Sequence, residues 1–195
     1  MTRVVLATRN AGKVRELQRI LSPYGLSLEG ASYDPGPETG RTFADNALAK
    51  AREGVAFTGL PSVADDSGLA VDALNGMPGI LSARWAGRHG DDLANLQLVL
   101  GQLADVVDRG AAFVCAAAFA LPDGRADVVL GELRGTLLTS PRGSGGFGYD
   151  PIFVPDGYDV TTAELSPEDK DAISHRGQAF RALAPLLADA LAGPA

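Results

Sequence analysis

The order of predicted elements at the start of the chain limits its fold more than any other feature. Residues 3–7 form a short run of apolar and β-branched residues that predicts a buried strand. Between Asn10 and Leu21 the apolar side chains recur at helical spacing, and Pro23 and Gly25 then end the pattern. A strand, a short polar loop and a helix in this order are the start of an α/β unit.

A predicted hairpin adds antiparallel strands to this unit. Residues 111–121 and 126–138 are strand-like runs separated by Pro122, Asp123 and Gly124, and an Asp-Gly pair is a strong turn signal. The other helical patterns cover residues 43–55, 91–103 and 179–191. Because crossover units and a hairpin occur in one chain, we predict the α/β class with a mixed sheet.

The length and composition restrict the partners and the compartment. A chain of 195 residues is one large domain or two closely joined lobes, and 17 Lys and Arg against 24 Asp and Glu give a net charge of −7. Binding of long nucleic acids needs a broad basic surface, so this charge argues against it. No apolar run is long enough for a bilayer or, at the start, for a signal peptide, so we expect a cytoplasmic protein without a membrane partner. The single cysteine, Cys115, lies in an apolar run and is expected to be buried.

Two adjacent acids, Asp65 and Asp66, interrupt the apolar stretch from Val63 to Asp72. Neighbouring residues of a strand point to opposite faces of the sheet, so the two carboxylates are expected to differ in role. We expect the strand to end here and the chain to turn at Ser67-Gly68. One interpretation is a tight turn with a solvated acid. The other is a magnesium site at the carboxyl end of a strand, where an acid could also accept a proton from water.

Two further clusters could bind phosphate. The loop Ala7–Lys13 leads into the first helix, whose backbone N–H groups favour an anion, although an asparagine cap beside an exposed lysine explains the same residues. Asn46 and Lys50 are four residues apart and therefore share one face of the second helix, with Glu38 in the loop before it. An ordinary amphipathic surface helix is the alternative for this second cluster.

The last two clusters could bind a nucleobase. The loop Ser144–Phe153 holds Phe147 and Tyr149 between glycines, which lets a flat ligand approach and stack on a ring. Two aromatic residues buried in the core are the alternative. The other cluster brings several donors to the start of the last helix, namely Lys170, His175 and Arg176. His89 has no such neighbours and is expected at the surface.

Together these clusters supply what a nucleoside triphosphate requires, and their order along the chain adds a resemblance. The chain resembles the inosine/xanthosine triphosphate pyrophosphatase family over almost its whole length. The segments that match are TRNAGK, ETGRTFADNALAKA, ADDSGLAVD, PGILSARWAG, GGFGYDPIF and AELSPEDKDAISHRGQA. The set ADDSGL, FGYDPIF and SHRGQA is highly specific.

The resemblance implies a fold and a reaction. The fold is an elongated α/β structure with a mixed sheet and flanking helices, a single domain over residues 1–195 whose two lobes surround a central active-site cleft. The reaction is hydrolysis of ITP, dITP and XTP to the nucleoside monophosphate and pyrophosphate, which removes non-standard purine nucleotides from the precursor pool. Mg²⁺ is the implied cofactor, and the implied assembly is a homodimer.

The resemblance also assigns roles to individual residues. The triphosphate is assigned to Thr8, Arg9, Asn10, Ala11, Gly12, Lys13 and Lys50. The magnesium ion is assigned to Glu38 and Asp66, with Asp66 as proton acceptor, Asp65 as a support for the metal and its water, and Ser67 in contact with substrate. The base is assigned to a pocket of Phe147, Gly148, Tyr149 and Asp150 and to the base-reading side chains of Lys170, His175 and Arg176.

Two rival functions remain open on the sequence. One is a related pyrophosphatase that prefers modified pyrimidine triphosphates, as in the Maf-like proteins. The other is a nucleotide-binding sensor that has lost catalysis, which predicts a damaged acid site, whereas Glu38, Asp65 and Asp66 are all present. The chain departs from the family pattern at Leu81 and Trp85, where tyrosines are expected, and this departure bears on the dimer contact more than on the chemistry.

Overall fold

A computed structural model describes residues 2–8, 11–33 and 36–193, with the backbone alone for residues 11–13, 15 and 16. Within these residues seven strands lie in one mixed sheet, and their bounds are β1 Thr2–Leu6, β2 Leu26–Gly30, β3 Ser62–Val71, β4 Met77–Pro78, β5 Gly110–Ala120, β6 Ala126–Leu137 and β7 Phe153–Pro155. The five helices of the described residues are α1 Ala11–Leu21, α2 Phe43–Thr58, α3 Asp92–Gln102, α4 Pro167–Ile173 and α5 His175–Ala192.

The strand order is β2-β1-β3-β5-β6-β7, and β4 pairs with β3 outside this path. Strand β1 pairs in parallel with β2 and with β3, whereas β4 is antiparallel to β3 and β7 is antiparallel to β6. Parallel and antiparallel pairs in one sheet confirm the predicted mixed α/β class. Among the helices of the described residues, none combines the length and the apolar character that crossing a membrane would need.

The chain divides into two compact units. The first unit comprises Met1–Asp66, Cys115–Gly131 and His175–Ala195. The second unit comprises Ser67–Val114 and Glu132–Ser174. Strands β3, β5 and β6 each contribute residues to both units.

The first unit has an apolar cluster on each face of its strands. Along β5, Cys115, Ala117 and Phe119 belong to the cluster that also contains α1 and α5 side chains, whereas Ala116 and Ala118 belong to the cluster beneath α2. This alternation follows from the two-residue period of a strand. Alanines at the α2 contact keep the helix close to the sheet, so its polar side chains lie near the strands. Cys115 is buried, as the sequence predicts.

The second unit packs α3 against β3, β5 and the segment after β6. Its core contains Leu69 and Val71 of β3, Leu96 and Val99 of α3, and Phe153. Helix α3 begins after Asp91, whose carboxylate accepts the Ala94 backbone N–H at 3.2 Å. The predicted helix over 91–103 is therefore confirmed to within a residue at each end.

The predicted turn at Ser67-Gly68 is wrong, because β3 continues through both residues to Val71. The glycine is needed for a close packing contact rather than for a turn. A Cβ atom on Gly68 would lie 2.4 Å from the Ser82 Oγ and 2.5 Å from the Gly79 carbonyl oxygen. Ser82 Oγ also accepts the backbone N–H of Leu69 at 2.9 Å. The interpretation of a solvated acid in a turn is wrong for the same reason, since Asp65 and Asp66 are buried inside a strand.

Candidate active site

A candidate acidic cluster lies in the first unit and is built on α2. Thr42 caps this helix, because its Oγ1 accepts the Asp45 N–H at 3.0 Å and the Asp45 carboxylate accepts the Thr42 N–H at 3.1 Å. The cap sets where the helix starts. As a result Asn46 and Lys50, one turn apart, both reach Asp66 of β3.

Lys50 joins the two acids that were predicted to share a cation. Its Nζ donates to Glu38 Oε1 at 2.8 Å and to Asp66 Oδ1 at 3.3 Å. Burial acts to lower the pKa of Lys50, but the negative charges of Asp66, Asp65 and Glu38 outweigh it and the pKa is raised. The side chain therefore carries a positive charge at a point shared by two carboxylates.

Asp66 is buried and has a donor on each oxygen. Oδ1 accepts from Lys50 at 3.3 Å, and Oδ2 accepts from the Asn46 amide at 2.9 Å. Burial raises the pKa of Asp66 more than Lys50 and Asn46 lower it, and the charge of Glu38 raises it further. A carboxylate with a raised pKa is a stronger proton acceptor once it is ionised.

This arrangement fits a hard divalent cation that keeps several waters. Among the described residues, no group of three or more His, Cys, Asp and Glu side chains gathers at metal-binding spacing, so an all-protein cage is not present there. Mg²⁺ needs only one or two carboxylates besides water and substrate phosphate oxygens. Glu38 and Asp66 each direct one oxygen to the Lys50 ammonium, so the two carboxylates converge on one point.

Asp65 points to the opposite face of β3 from Asp66, as the sequence predicts. Its Oδ2 accepts from the Nε of Arg176 at 3.1 Å, and both side chains are buried. Gly131 of β6 lets α5 come close at this point, since a Cβ atom there would lie 2.2 Å from the His175 carbonyl oxygen and 2.6 Å from the Ala179 nitrogen. The first turn of α5, with His175 and Arg176, is therefore held by both β3 and β6.

The predicted phosphate loop is described only in part. Strand β1 ends at Leu6 and α1 begins at Ala11, which is the predicted strand–loop–helix order. Thr8 is half-buried, and its carbonyl oxygen accepts the Ala31 N–H at 3.0 Å. Two predicted contacts, Arg9 and Asn10, lie outside the described residues, as do the side chains of Ala11 and Lys13, and Gly12 is described by its backbone.

A separate candidate cluster with two aromatic rings lies in the second unit, and the two rings have different environments. Phe147 is 61% exposed, and the Lys170 Nζ lies 5.0 Å from the centre of its ring. Tyr149 is buried in the core, where its hydroxyl donates to the Ser82 carbonyl oxygen at 2.8 Å. Burial raises the pKa of Tyr149, and the charge of Asp92 adds to this effect. Phe147 is therefore the ring with a surface open to a ligand.

Asp150 organises this loop from inside. Its Oδ2 accepts the Phe147 backbone N–H at 2.8 Å and also pairs with the Lys170 ammonium. Its Oδ1 accepts the hydroxyl of buried Thr162 at 2.8 Å. Three internal donors thus hold the carboxylate, and the carboxylate in turn holds Lys170 beside the exposed ring.

Ser67 and Gly148 are the remaining residues that were expected to contact the substrate. Ser67 follows Asp66 in β3 and is half-buried. Gly148 has a backbone φ of 60°, and its N–H donates to the Asp92 carboxylate at 2.8 Å. His89 is exposed, as the sequence predicts.

Sequence reasoning missed two residues with direct contacts to predicted site residues. Asn46 was placed on the Lys50 face of α2, but no role was assigned to it. Thr162 lies in a segment without a recognisable signal, and only the folded chain brings it to Asp150. Helix α4 was also missed, although Ser166 before Pro167 and acids in the first turn are a recognisable start signal.

A comparison with known protein families shows to which family the chain belongs. The model of the Ham1 family matches residues 4–186. The chain belongs to the Ham1 family. This confirms the resemblance seen in the sequence.

Relatives in this family are similar over nearly their whole length. The chain is 60% identical over 199 residues to the dITP/XTP pyrophosphatase of Streptomyces coelicolor, an alignment that covers 98% of this chain and 100% of the relative. It is 61% identical over 197 residues to the dITP/XTP pyrophosphatase of Nocardia farcinica, with 96% of each chain covered.

Solved structures give the same result for the fold. The nucleoside-triphosphatase / dITP/XTP pyrophosphatase of Mycobacterium abscessus is 57% identical with a TM-score of 0.78, covering 95% of this chain and 98% of that one. A HAM1 protein from Coxiella burnetii is 41% identical with a TM-score of 0.90, covering 97% of this chain and 100% of that one. Both likenesses confirm the mixed α/β fold with flanking helices.

Proposed function

We propose that this protein hydrolyses the non-standard purine nucleoside triphosphates ITP, dITP and XTP to the monophosphate and pyrophosphate. The observation that carries the proposal is the convergence of Glu38, Lys50 and Asp66, at 2.8 and 3.3 Å, in a chain of this family. Its relatives at 57–61% identity are named dITP/XTP pyrophosphatases. The reaction keeps such nucleotides out of DNA and RNA.

Glu38 and Asp66 are the residues that would hold Mg²⁺ in this proposal. A bound magnesium ion would neutralise phosphate oxygens and lower the pKa of a bound water. The part-buried ion pairs of Lys50 with Glu38 and Asp66 keep both carboxylates in place, so little reorganisation of the carboxylates is needed on binding.

Asp66 is the proton acceptor for the attacking water. The water oxygen forms a bond to the α-phosphorus, the bond from the α-phosphorus to the α–β bridging oxygen breaks, and pyrophosphate leaves. Because phosphoryl-type transfers depend mainly on positioning and charge neutralisation, the protein needs to supply little covalent chemistry. The positive charge of Lys50 serves this purpose, as do the donors assigned to the loop before α1, Thr8, Arg9, Asn10, Ala11, Gly12 and Lys13.

The base is recognised by residues around Phe147 and at the start of α5. The exposed Phe147 ring stacks on the purine. Stacking of this kind does not depend on which base is bound, because every base has a π-face. Lys170, His175 and Arg176 select the base, since charged lysine and arginine only donate and therefore match the oxygen at purine position 6. Asp150 holds Lys170 in position, Gly148 and Tyr149 complete the pocket wall, and Ser67 contacts the substrate.

Four wider statements belong to the same proposal. The protein acts in the cytoplasm, where the precursors of DNA and RNA are used. It acts as a homodimer, and no long nucleic acid takes part, in keeping with the net charge of −7. Residues 1–195 form a single domain, of which the two units are the lobes.

A panel of triphosphates with isotopically labelled water tests this function. ITP, dITP, XTP, GTP, ATP and dUTP are incubated with the protein and Mg²⁺ in H₂¹⁸O, and pyrophosphate and orthophosphate are assayed separately. We expect stoichiometric monophosphate and pyrophosphate from the first three substrates, with the label in the monophosphate. Label in pyrophosphate would place the attack at the β-phosphorus, and orthophosphate release or a preference for dUTP would overturn the proposal.

A further inference from the structure

We propose that Asn46 is a positioning residue that fixes the Asp66 carboxylate and ties it to the loop that bears Glu38. This inference rests on the proposed function. The sequence assigns Asn46 no role of its own, because a place on the polar face of an amphipathic helix is enough to explain this residue. The hydrogen bonds of Asn46 in the structure indicate a specific role.

The orientation of the Asn46 amide is decided by its neighbours. The side chain is 2% exposed, its Oδ1 accepts the Gly40 backbone N–H at 2.7 Å, and its Nδ2 donates to Asp66 Oδ2 at 2.9 Å. A backbone N–H can only donate, so the amide oxygen must face Gly40. The amide NH₂ must then face Asp66, so the Oδ2 atom of Asp66 must act as an acceptor.

Position 40 is built for this contact. A Cβ atom on Gly40 would lie 2.5 Å from the Asn46 Oδ1 and 2.7 Å from the Asp45 Cβ, so a side chain there would push the loop off the helix. The following two backbone N–H groups, of Arg41 and Thr42, both donate to the Asp45 carboxylate, at 3.2 and 3.1 Å. The end of the Glu38 loop is therefore fastened to the first turn of α2.

Asn46 and Lys50 together define the plane of the Asp66 carboxylate. Each donates to a different oxygen, Nδ2 to Oδ2 and Nζ to Oδ1. With one donor the carboxylate could turn about its last side-chain bond, whereas two donors on one helix face hold it in a single orientation. A proton acceptor and metal ligand needs this, because a small misplacement of a reacting group costs on the order of 100-fold in rate.

Two substitutions separate the two ends of the amide. Asn46→Leu removes both the acceptor for Gly40 and the donor for Asp66. Asn46→Asp keeps the acceptor for Gly40 and replaces the donor with an oxygen. Asn95→Asp is a matched control, because Asn95 is 1% exposed on α3 and its Oδ1 accepts the Ala86 N–H at 2.7 Å in the second unit.

The first measurement is the Mn²⁺ dissociation constant without nucleotide, followed by electron paramagnetic resonance. A partner that orients a metal ligand typically contributes about 10–100-fold to metal affinity. We expect Asn46→Leu to weaken Mn²⁺ binding by that factor, and Asn95→Asp to leave it unchanged. An Asn46→Leu protein with the affinity of the wild type would overturn the proposal.

The second measurement separates kcat from KM for ITP. We expect Asn46→Asp and Asn46→Leu both to lower kcat by roughly 100-fold while KM changes little, because the lost contact concerns the reacting centre. If Asn46→Asp retains the kcat of the Asn95→Asp control and only Asn46→Leu is impaired, Asn46 serves the Gly40 loop alone and the inference is wrong. Should Asn46→Leu fail to fold, Asn46→Asp decides by the same criterion.

The two proposals fail in distinguishable ways. A wild-type protein that does not convert ITP to the monophosphate and pyrophosphate would refute the proposed function. The Mn²⁺ comparison between the wild type, Asn46→Leu and Asn95→Asp would still test the link between Asn46 and Asp66.

Discussion

The Nε of Arg176 donates to the Asp65 carboxylate at 3.1 Å across a separation of 111 residues, and the two side chains are only 5% and 3% exposed. Val63 and Asp65 lie on the α5 side of β3, whereas Ala64 and Asp66 lie on the α2 side. The two adjacent acids thus avoid each other by facing different helices. Asp65 anchors the start of α5, and Asp66 belongs to the proposed reaction.

The buried pair predicts a large loss of stability on removal of one partner. Arg176→Met leaves the Asp65 charge buried without this donor, which typically costs about 3–5 kcal/mol in the free energy of unfolding. Asp65→Asn combined with Arg176→Met removes both charges and should recover most of that loss. Urea unfolding of the wild type, the two single variants and the double variant measures the coupling.

The same double variant tests the base-reading role of Arg176 in a stable background. If Arg176 reads the base, the ratio of kcat/KM for ITP to that for ATP falls in the double variant by about tenfold, a loss of roughly 1.4 kcal/mol of discrimination. An unchanged ratio with restored stability would make Arg176 a structural residue alone.

Asp66→Asn is expected to abolish most of the activity while the fold survives. Loss of a positioned proton acceptor costs about 10²–10⁴-fold in kcat. Because the folded-state pKa of Asp66 is raised by burial, ionised Asp66 disfavours the folded state, and wild-type stability falls as the pH rises through that pKa. The variant lacks this fall, but its amide NH₂ must face the donor of Asn46 or of Lys50, so the Tm of the variant relative to that of the wild type should be highest at high pH.

Thermal melts without metal from pH 4 to pH 8 check the direction of this pH dependence of stability. The Tm of Asp66→Asn relative to that of the wild type should fall as the pH is lowered toward 4, because the wild type regains stability as Asp66 becomes protonated in the folded state. A Tm difference between variant and wild type that stays constant from pH 4 to pH 8 would contradict the expected cost of the buried charge, and near-normal turnover would remove Asp66 from the reaction.

Phe147→Ala is expected to weaken substrate binding with little effect on stability. Stacking of one base on an aromatic ring contributes about 1–3 kcal/mol, so KM for ITP and for ATP should rise by similar factors. Phe57 of the first unit is a matched control, because it is 64% exposed against 61% for Phe147. Steady-state kinetics that show equal effects of Phe57→Ala and Phe147→Ala would argue against a stacking role.

Thr162→Val tests whether the hydrogen bond from Thr162 is needed to hold the Asp150 carboxylate in position. The substitution removes the hydroxyl that donates to Asp150 Oδ1 at 2.8 Å. A hydrogen bond to a charged group contributes about 1.5–3 kcal/mol to stability, so the KM for ITP should rise, by up to about tenfold, as Asp150 and Lys170 lose their fixed positions. Thr161→Val is the control, since its hydroxyl donates to the neutral Arg142 carbonyl at 3.0 Å. Equal kinetics for the two variants would contradict the prediction.

Local patterns in the sequence were sufficient for the elements that depend on nearby residues. The opening strand–loop–helix order, the hairpin around Asp123-Gly124 and the shared face of Asn46 and Lys50 all follow from periodicity or turn chemistry within about ten residues. The different roles of Asp65 and Asp66 follow in the same way from the two-residue period of a strand. The prediction of a turn at Ser67-Gly68 was wrong because the glycine is required by close packing against Ser82. Local sequence patterns do not contain this contact.

The sequence by itself determined the α/β class, the family and the face that each acid presents, because these depend on local periodicity and on motifs read in order. Only the tertiary structure decided which partners meet those faces. Arg176 reaches Asp65, Thr162 reaches Asp150 and Asn46 turns its NH₂ to Asp66 because strand order and helix packing bring distant segments together. Such contacts depend on the whole chain, so no single stretch of the sequence contains them.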